Sequence, residues 1–277
     1  MSRVGEAFAT ARSEHRGLLV GYLPAGFPSY DGCVEALRAM VDGGVDLVEL
    51  GLPYSDPVMD GPTIQLAVER SLAGGTRTRD VLRTVEAVAA LVPTVVMTYW
   101  NPIERYGVDA FARDLAAAGG SGLITTDLIP DEAEEWLAAS DAQALDRIFL
   151  VSPSSTDERL TMTAQACLGF IYATSVMGVT GARDRTSARA PELVTRVRAA
   201  SEIPVGVGLG VSNGEQAAEV ASYADGVIVG SAFVRPLLDD GGGGAGIASV
   251  AALSRDLAAG VRRGGVPSAT AGTSAGR

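Results

Sequence analysis

Glu49, Asp56 and Asp60 lie close together in the sequence, and their surroundings set what each could do. The run Val45-Asp46-Leu47-Val48-Glu49-Leu50-Gly51 reads as a buried strand that a carboxylate interrupts near its end. Pro53, Pro57, Gly61 and Pro62 then carry the chain away as a stiff loop that bears Asp56 and Asp60, until Thr63 opens a helix. Burying a charged acid is costly. Glu49 is therefore either a salt-bridged strand end or an acid kept for proton transfer, and Asp56 either a turn cap or part of the same device. The other chemistry is limited by what is missing. All 22 basic residues are arginine, which removes Schiff-base chemistry and a Walker-type phosphate loop. The one histidine, His15, sits in a polar N-terminal segment, away from any triad or histidine-rich metal site, so no metal site is expected. Acid–base work must fall to carboxylates, tyrosines or water.

Two glycine-rich stretches come late. Gly206-Val207-Gly208-Leu209-Gly210-Val211-Ser212 follows a seventh strand and Gly230-Ser231-Ala232 an eighth. Bare backbone N–H groups at such turns, next to a helix N-terminus, suit a phosphate. Backbone and Ser231 would do most of the binding. The stretch from Thr174 to Ala190 is long and polar, with Gly178 and Gly181 near Val176-Met177, and reads as a lid that closes over substrate.

The elements that must position these residues alternate. An amphipathic helix over Met1 to Glu14 precedes strands at Leu18–Leu23, at the Glu49 stretch, and at Thr94–Tyr99, Gly122–Thr126, Ile148–Val151, Phe170–Ala173, Val205–Val207 and Gly226–Val229. Helices are expected between them, among them Ser29-capped 30–41 with Val34, Leu37, Met40 and Val41 on one face, 63–73, 79–91, 108–118, 131–139 and 191–200. Trp100-Asn101-Pro102 reads as a loop that ends strand three, and the last helix spans Ile247 to Arg262. Eight strand–helix repeats of about thirty residues close best as a (β/α)8 barrel, the TIM-barrel arrangement, with an extra N-terminal helix. A doubly wound open sheet is the alternative, but no Gly-x-Gly-x-x-Gly follows the first strand. Residues 1–263 are expected to form one barrel domain and 264–277 a disordered tail. The odd polar residues (Glu49, Asn101, Asp127, Tyr172) then fall at or just after strand C-termini, where barrel enzymes keep their sites.

Composition is consistent with this. Just under half of the 277 residues are apolar, enough for a large core, and no apolar run is long enough to span a bilayer. The N-terminus lacks the apolar centre of a signal peptide. Cys33 and Cys167 lie far apart, without metal spacing, and read as buried small hydrophobes in a reducing cytoplasm. The net charge of −11 argues against nucleic acid or an anionic membrane as partner.

Taken together, these residues resemble the tryptophan synthase alpha subunit family. The resemblance rests on Glu49-Leu50-Gly51-Leu52-Pro53-Tyr54-Ser55-Asp56-Pro57 running into Asp60-Gly61-Pro62-Thr63-Ile64-Gln65, on Met97-Thr98-Tyr99-Trp100-Asn101-Pro102, and on Met177-Gly178-Val179-Thr180-Gly181. Gly208-Leu209-Gly210 and Val229-Gly230-Ser231-Ala232 complete it, over residues 15 to 238. The resemblance implies a lyase that cleaves indole-3-glycerol phosphate to indole and glyceraldehyde 3-phosphate. It implies a beta-subunit partner in an α2β2 assembly, with pyridoxal phosphate only in that partner. It also implies roles for Glu49 as catalytic acid/base, Asp60 as second carboxylate and Tyr172 as the tyrosine near the substrate. Thr180 matches the lid threonine that engages Asp60, and Gly181, Gly210, Gly230 and Ser231 match phosphate-binding positions. Tyr22, Ile124 and Leu209 match the indole pocket walls, Tyr22 and Leu209 departing from members with phenylalanine. The Gly241 to Gly244 run and the tail fall outside the pattern.

Three other readings share part of these features. A phosphosugar isomerase would use Gly210, Gly230 and Ser231 but not Asp60. A mainly regulatory partner would dock through Tyr54-Ser55-Asp56-Pro57 and Asn101-Pro102 and turn over little alone. A stand-alone lyase would release free indole.

Overall fold

The computed structural model describes residues 2–174, 189–241 and 243–265. In chain order these form α1 (Arg3–Ser13), β1 (Leu18–Pro24), α2 (Tyr30–Asp42), β2 (Leu47–Gly51), α3 (Pro62–Ala73), α4 (Thr78–Val88), β3 (Thr94–Thr98), α5 (Trp100–Tyr106), α6 (Val108–Ala117) and β4 (Gly122–Thr125). After a short 3-10 turn at Pro130–Glu132 come α7 (Glu134–Gln143), β5 (Asp146–Val151), α8 (Asp157–Ala166), β6 (Ile171–Thr174), α9 (Arg189–Ala200), β7 (Val205–Gly208), α10 (Gly214–Ala221), β8 (Gly226–Val229), α11 (Ser231–Asp239) and α12 (Gly244–Gly264). The strands are parallel and close in sequence order, with β1 hydrogen-bonded to both β2 and β8. The barrel expected from the strand–helix alternation is the fold.

Side chains that alternate along each strand build two cores. Leu19, Leu23, Val48, Leu50, Val96, Val205, Val207, Val227 and Val229 face outward into the layer of helices. Leu18, Val20, Leu47, Val95, Ile124, Ile148 and Ile228 fill the interior, where Val4, Phe8 and Ala11 of α1 join them. Helix α1 is thus a floor: its apolar stripe closes the barrel at the strand N-termini, and Phe8 lies 5.4 Å from Phe170. Ser2 caps it by accepting from the Gly5 N–H, as Ser29 caps α2 by accepting from Gly32.

Several expectations need correction. The buried face of α2 is Cys33, Ala36, Leu37 and Met40, with Val34 and Val41 only half-buried, because the stripe at i, i+3, i+4 and i+7 from Cys33 is the one turned inward. Gly206 and Gly208 lie inside β7, not in the turn after it. A Cβ at Gly206 would stand 3.0 Å from the Phe170 ring, and one at Gly208 would stand 2.6 Å from the Tyr172 hydroxyl, so glycine here makes room for two rings, one just before β6 and one within it. Trp100-Asn101-Pro102 opens α5 and is not a loop: Pro102 sits in the first turn, where its missing N–H costs nothing. Helix α11 follows β8 directly; the sequence suggests a helix N-terminus beside the Gly230 turn but not the length of the helix it opens. Gly264 closes α12, so the last helix reaches into the expected tail. Residues 266–277 lie outside the described residues. No helix among the described residues is long and apolar enough to cross a membrane.

Candidate active site

Strand β2 carries Leu47 into the barrel interior, so Glu49, two residues on, shares that face at the rim. It lies beside Tyr22 of β1 and Val95 of β3 in the strand register. Glu49 is 1% exposed, and among the described residues its Oε2 has no hydrogen-bond partner. Burial alone pushes it up to about 8, so at neutral pH Glu49 holds its proton. Two rings share the space. Burial, then the charges of Asp60 and Glu49, push the Tyr22 hydroxyl well up; burial and Glu49 do the same to Tyr172. Both phenols therefore stay protonated next to the carboxyls.

Asp60 reaches the same space from the loop between β2 and α3. Pro62 starts α3 with Gly61 as N-cap, which ends the loop right after Asp60. Burial raises the Asp60 carboxyl, and a hydrogen bond from the Tyr99 hydroxyl, 3.3 Å from Oδ1, pulls it back. The Tyr99 hydroxyl also accepts from the N–H groups of Val58 and Met59. Farther out, the Tyr54 ring packs on Tyr99 at 5.3 Å, while Ser55 and Asp56 are exposed and Ser55 Oγ donates to Asp56. Val58, at 74% exposed, is the most open large apolar side chain among the described residues.

Across the rim, the turn after β7 places Gly210 at φ +74°, a conformation glycine adopts without strain. Gly230 is the N-cap of α11, and no side chain caps that helix, so its first N–H groups face the end of β8 as an anion-binding terminus would. Ser231 begins the helix. Ile124 of β4 belongs to the interior cluster, and Leu209 is buried beside Gly210. The strands thus bring to one end two carboxyls, protonated phenols, an apolar wall and a helix N-terminus.

The family model described as "Tryptophan synthase alpha chain" matches residues 8–259. The chain belongs to the tryptophan synthase alpha chain family. It is 65% identical over 263 residues to the tryptophan synthase alpha chain of Salinispora tropica, covering 95% of this chain and 98% of that one. A structure of Mycobacterium tuberculosis tryptophan synthase superposes with a TM-score of 0.89 at 60% identity, covering 94% of this chain and 98% of that one. The tryptophan synthase alpha chain of Legionella pneumophila, only 32% identical, still gives 0.83 over 94% of this chain and 97% of that one. As a member, the chain is a lyase of tryptophan biosynthesis.

Of the residues singled out in the sequence, Glu49, Asp60, Tyr22 and Tyr172 come together electrostatically. Thr180 and Gly181 lie outside the described residues. The supposed docking loop is less open than its composition implies: Ser55 and Asp56 are exposed, Tyr54 and Pro57 are half-buried, and Asn101 and Pro102 belong to α5. Asp127 has a structural task, since its Oδ1 accepts from the Trp100 N–H at 2.7 Å and caps α5 from the next strand's end. Tyr99 and Val58 were missed as functional candidates. The partners of Tyr99 are about forty positions away in sequence, and a lone exposed valine carries no signal.

Proposed function

We propose that the chain cleaves indole-3-glycerol phosphate to indole and glyceraldehyde 3-phosphate, as the alpha subunit of an α2β2 tryptophan synthase. The Glu49 carboxyl carries this reading: buried, one oxygen unpartnered, protonated at neutral pH and set in the barrel mouth. It gives its proton to C3 of the indole ring. Positive charge then develops on the ring N–H, which Asp60 accepts as an ionised carboxylate. Glu49, now anionic, takes the proton of the glycerol hydroxyl. The carbon–carbon bond breaks, its electron pair returns to the ring as indole, and the hydroxyl carbon leaves as the aldehyde. No Schiff base is needed.

Tyr22, Ile124 and Leu209 wall the indole, and Tyr172 packs beside Glu49. The phosphate is held by the Gly210 turn and by the N–H groups and Ser231 hydroxyl at the start of α11. Gly181 adds to that site and Thr180 engages Asp60 from the lid. The beta subunit docks on the face of Tyr54, Ser55, Asp56, Pro57, Asn101 and Pro102, which Val58 extends as an apolar point. Pyridoxal phosphate belongs to that subunit in this reading.

The test is release of indole from indole-3-glycerol phosphate by wild type and by Glu49→Gln. The amide keeps the shape and loses the proton, so turnover should fall about 10²- to 10⁴-fold. Wild-type turnover in Glu49→Gln would refute the mechanism.

A further inference from the structure

The Tyr99 hydroxyl is saturated in a way that dictates the direction of every bond it makes. Val58 and Met59 N–H groups lie 3.2 and 3.0 Å from it, and Asp60 Oδ1 lies 3.3 Å from it. A phenol has one proton and two acceptor sites. The two backbone N–H groups can only donate, so they occupy the acceptor sites, and the single proton is left for Asp60. The ring is 6% exposed and packs on Tyr54, which fixes where the hydroxyl sits.

We propose that Tyr99 is the positioning residue of the site: it clamps the backbone at Val58 and Met59 and commits its proton to Asp60 Oδ1, presenting Asp60 as an ionised acceptor. This rests on the reading of Asp60 as the group that meets the indole N–H. A carboxylate is the better acceptor than a carboxylic acid for a committed donor, so the clamp also selects the charge state. Among the described residues, the titratable groups facing Asp60 are Tyr99, whose hydroxyl bonds it, and Tyr22 of β1, which feels its charge together with that of Glu49 of β2; none of them is a cation. Burial pushes Asp60 up, and the Tyr99 hydrogen bond is what opposes it. Tyr99 itself is pushed up to about 12, so it remains a donor throughout the working range.

The experiment is the pH profile of kcat/KM for indole-3-glycerol phosphate cleavage in wild type, Tyr99→Phe and Asp60→Asn. The rate needs ionised Asp60 and protonated Glu49, so the profile has an acid limb from the first and a basic limb from the second. Removing the hydroxyl leaves burial unopposed and raises the Asp60 pKa. The acid limb should then move up by about one pH unit, so the loss approaches tenfold well down that limb and shrinks toward neutral pH, while the basic limb stays. A loss that is the same at every pH would mean a merely structural role and overturns the proposal. A protein with 3-fluorotyrosine at position 99 keeps the shape and strengthens the donor, so its acid limb should move down; no movement also overturns the proposal. Asp60→Asn at the wild-type rate would instead remove the reading of Asp60 itself. A damaged Asp60→Asn beside an unmoved limb in Tyr99→Phe removes Tyr99 alone.

Discussion

At the floor of the barrel Asp46 and Asp225 stand just before β2 and β8, and each meets arginine; at the rim Glu49 and Asp60 meet none among the described residues. Arg16 grips both oxygens of Asp46 at 2.8 and 2.9 Å, and Asp46 also accepts from the Leu19 N–H. Asp225 pairs with Arg12 and Arg198 and accepts from the Val205 N–H. Asp146, at the start of β5, is the intermediate case: burial raises its carboxyl, a Ser2 hydrogen bond opposes that, and Oδ2 has no partner. The same residue type at the two ends of parallel strands is therefore structural where cations satisfy it and chemical where only phenols surround it. The salt-bridged strand end that Glu49 could have been is what Asp46 is.

The sharpest way to break this comparison is to measure stability rather than turnover. Glu49 is raised to about 8, so the folded protein keeps a proton that the unfolded chain loses near its ordinary value. Between those two values folding becomes steadily less favourable as pH rises, and above 8 the cost is constant. Glu49→Gln carries no such cost. The variant should match wild type near pH 4 and exceed it above pH 8 by several kcal/mol, with ~5 kcal/mol as an upper bound from the width of the window. Urea unfolding at both pH values measures it, and a pH-independent difference would mean that Glu49 has a partner in the folded state.

The floor should respond in the opposite sense. Asp46→Ala leaves Arg16 and the Leu19 N–H without their acceptor, both mostly buried. We expect a loss of about 2–3 kcal/mol, below the figure for a fully buried pair because the site is partly solvated. kcat/KM per folded molecule should not change. A fall in kcat/KM without loss of stability would show that the floor and rim are not separable.

Much of this division was legible in the chain. The repeated alternation of strands and helices favoured a barrel over a doubly wound open sheet, and β8 lies at Gly226–Val229 as the sequence indicates. Glu49 was legible because an acid in an apolar strand is a local contradiction. What the chain concealed was tertiary. Helix α5 is capped by Asp127 from another strand's end, so its start at Trp100 has no local signal. Gly206 and Gly208 looked like turn residues because the rings they accommodate, Phe170 and Tyr172, come from the neighbouring strand. Helix α11 contains Pro236, which reads as a breaker when the preceding strand's end is not known to launch a helix. Tyr99 stands within the Met97–Pro102 motif, yet its clamp on the Asp60 loop exists only after β2 and β3 pair.

The smallest effects should come from one methyl group placed at each end. At the floor, a Cβ on Gly226 would stand 3.1 Å from the Phe8 ring; at the rim, a Cβ on Gly208 would stand 2.6 Å from the Tyr172 hydroxyl. The Gly208 contact is closer than packed atoms tolerate, so the Tyr172 ring must shift, at a cost of about 1–2 kcal/mol, whereas the Gly226 contact is only tight and the Phe8 ring need give by a few tenths of an ångström, at a smaller cost. The consequences should then part. Phe8 belongs to the α1 plug, and its tilt is absorbed by apolar neighbours, so Gly226→Ala should lose stability and keep kcat/KM. Tyr172 feels the charge of Glu49, and its tilt alters the space in which that carboxyl works. Gly208→Ala should therefore also lose about three- to tenfold in kcat/KM, equivalent to roughly 1 kcal/mol. Adding Tyr172→Phe removes the nearest atom the new methyl meets and leaves the ring carbons at 3.0 and 3.1 Å, so the double variant should recover part of the stability lost by Gly208→Ala alone, and a strictly additive double variant would show that the strain lies elsewhere.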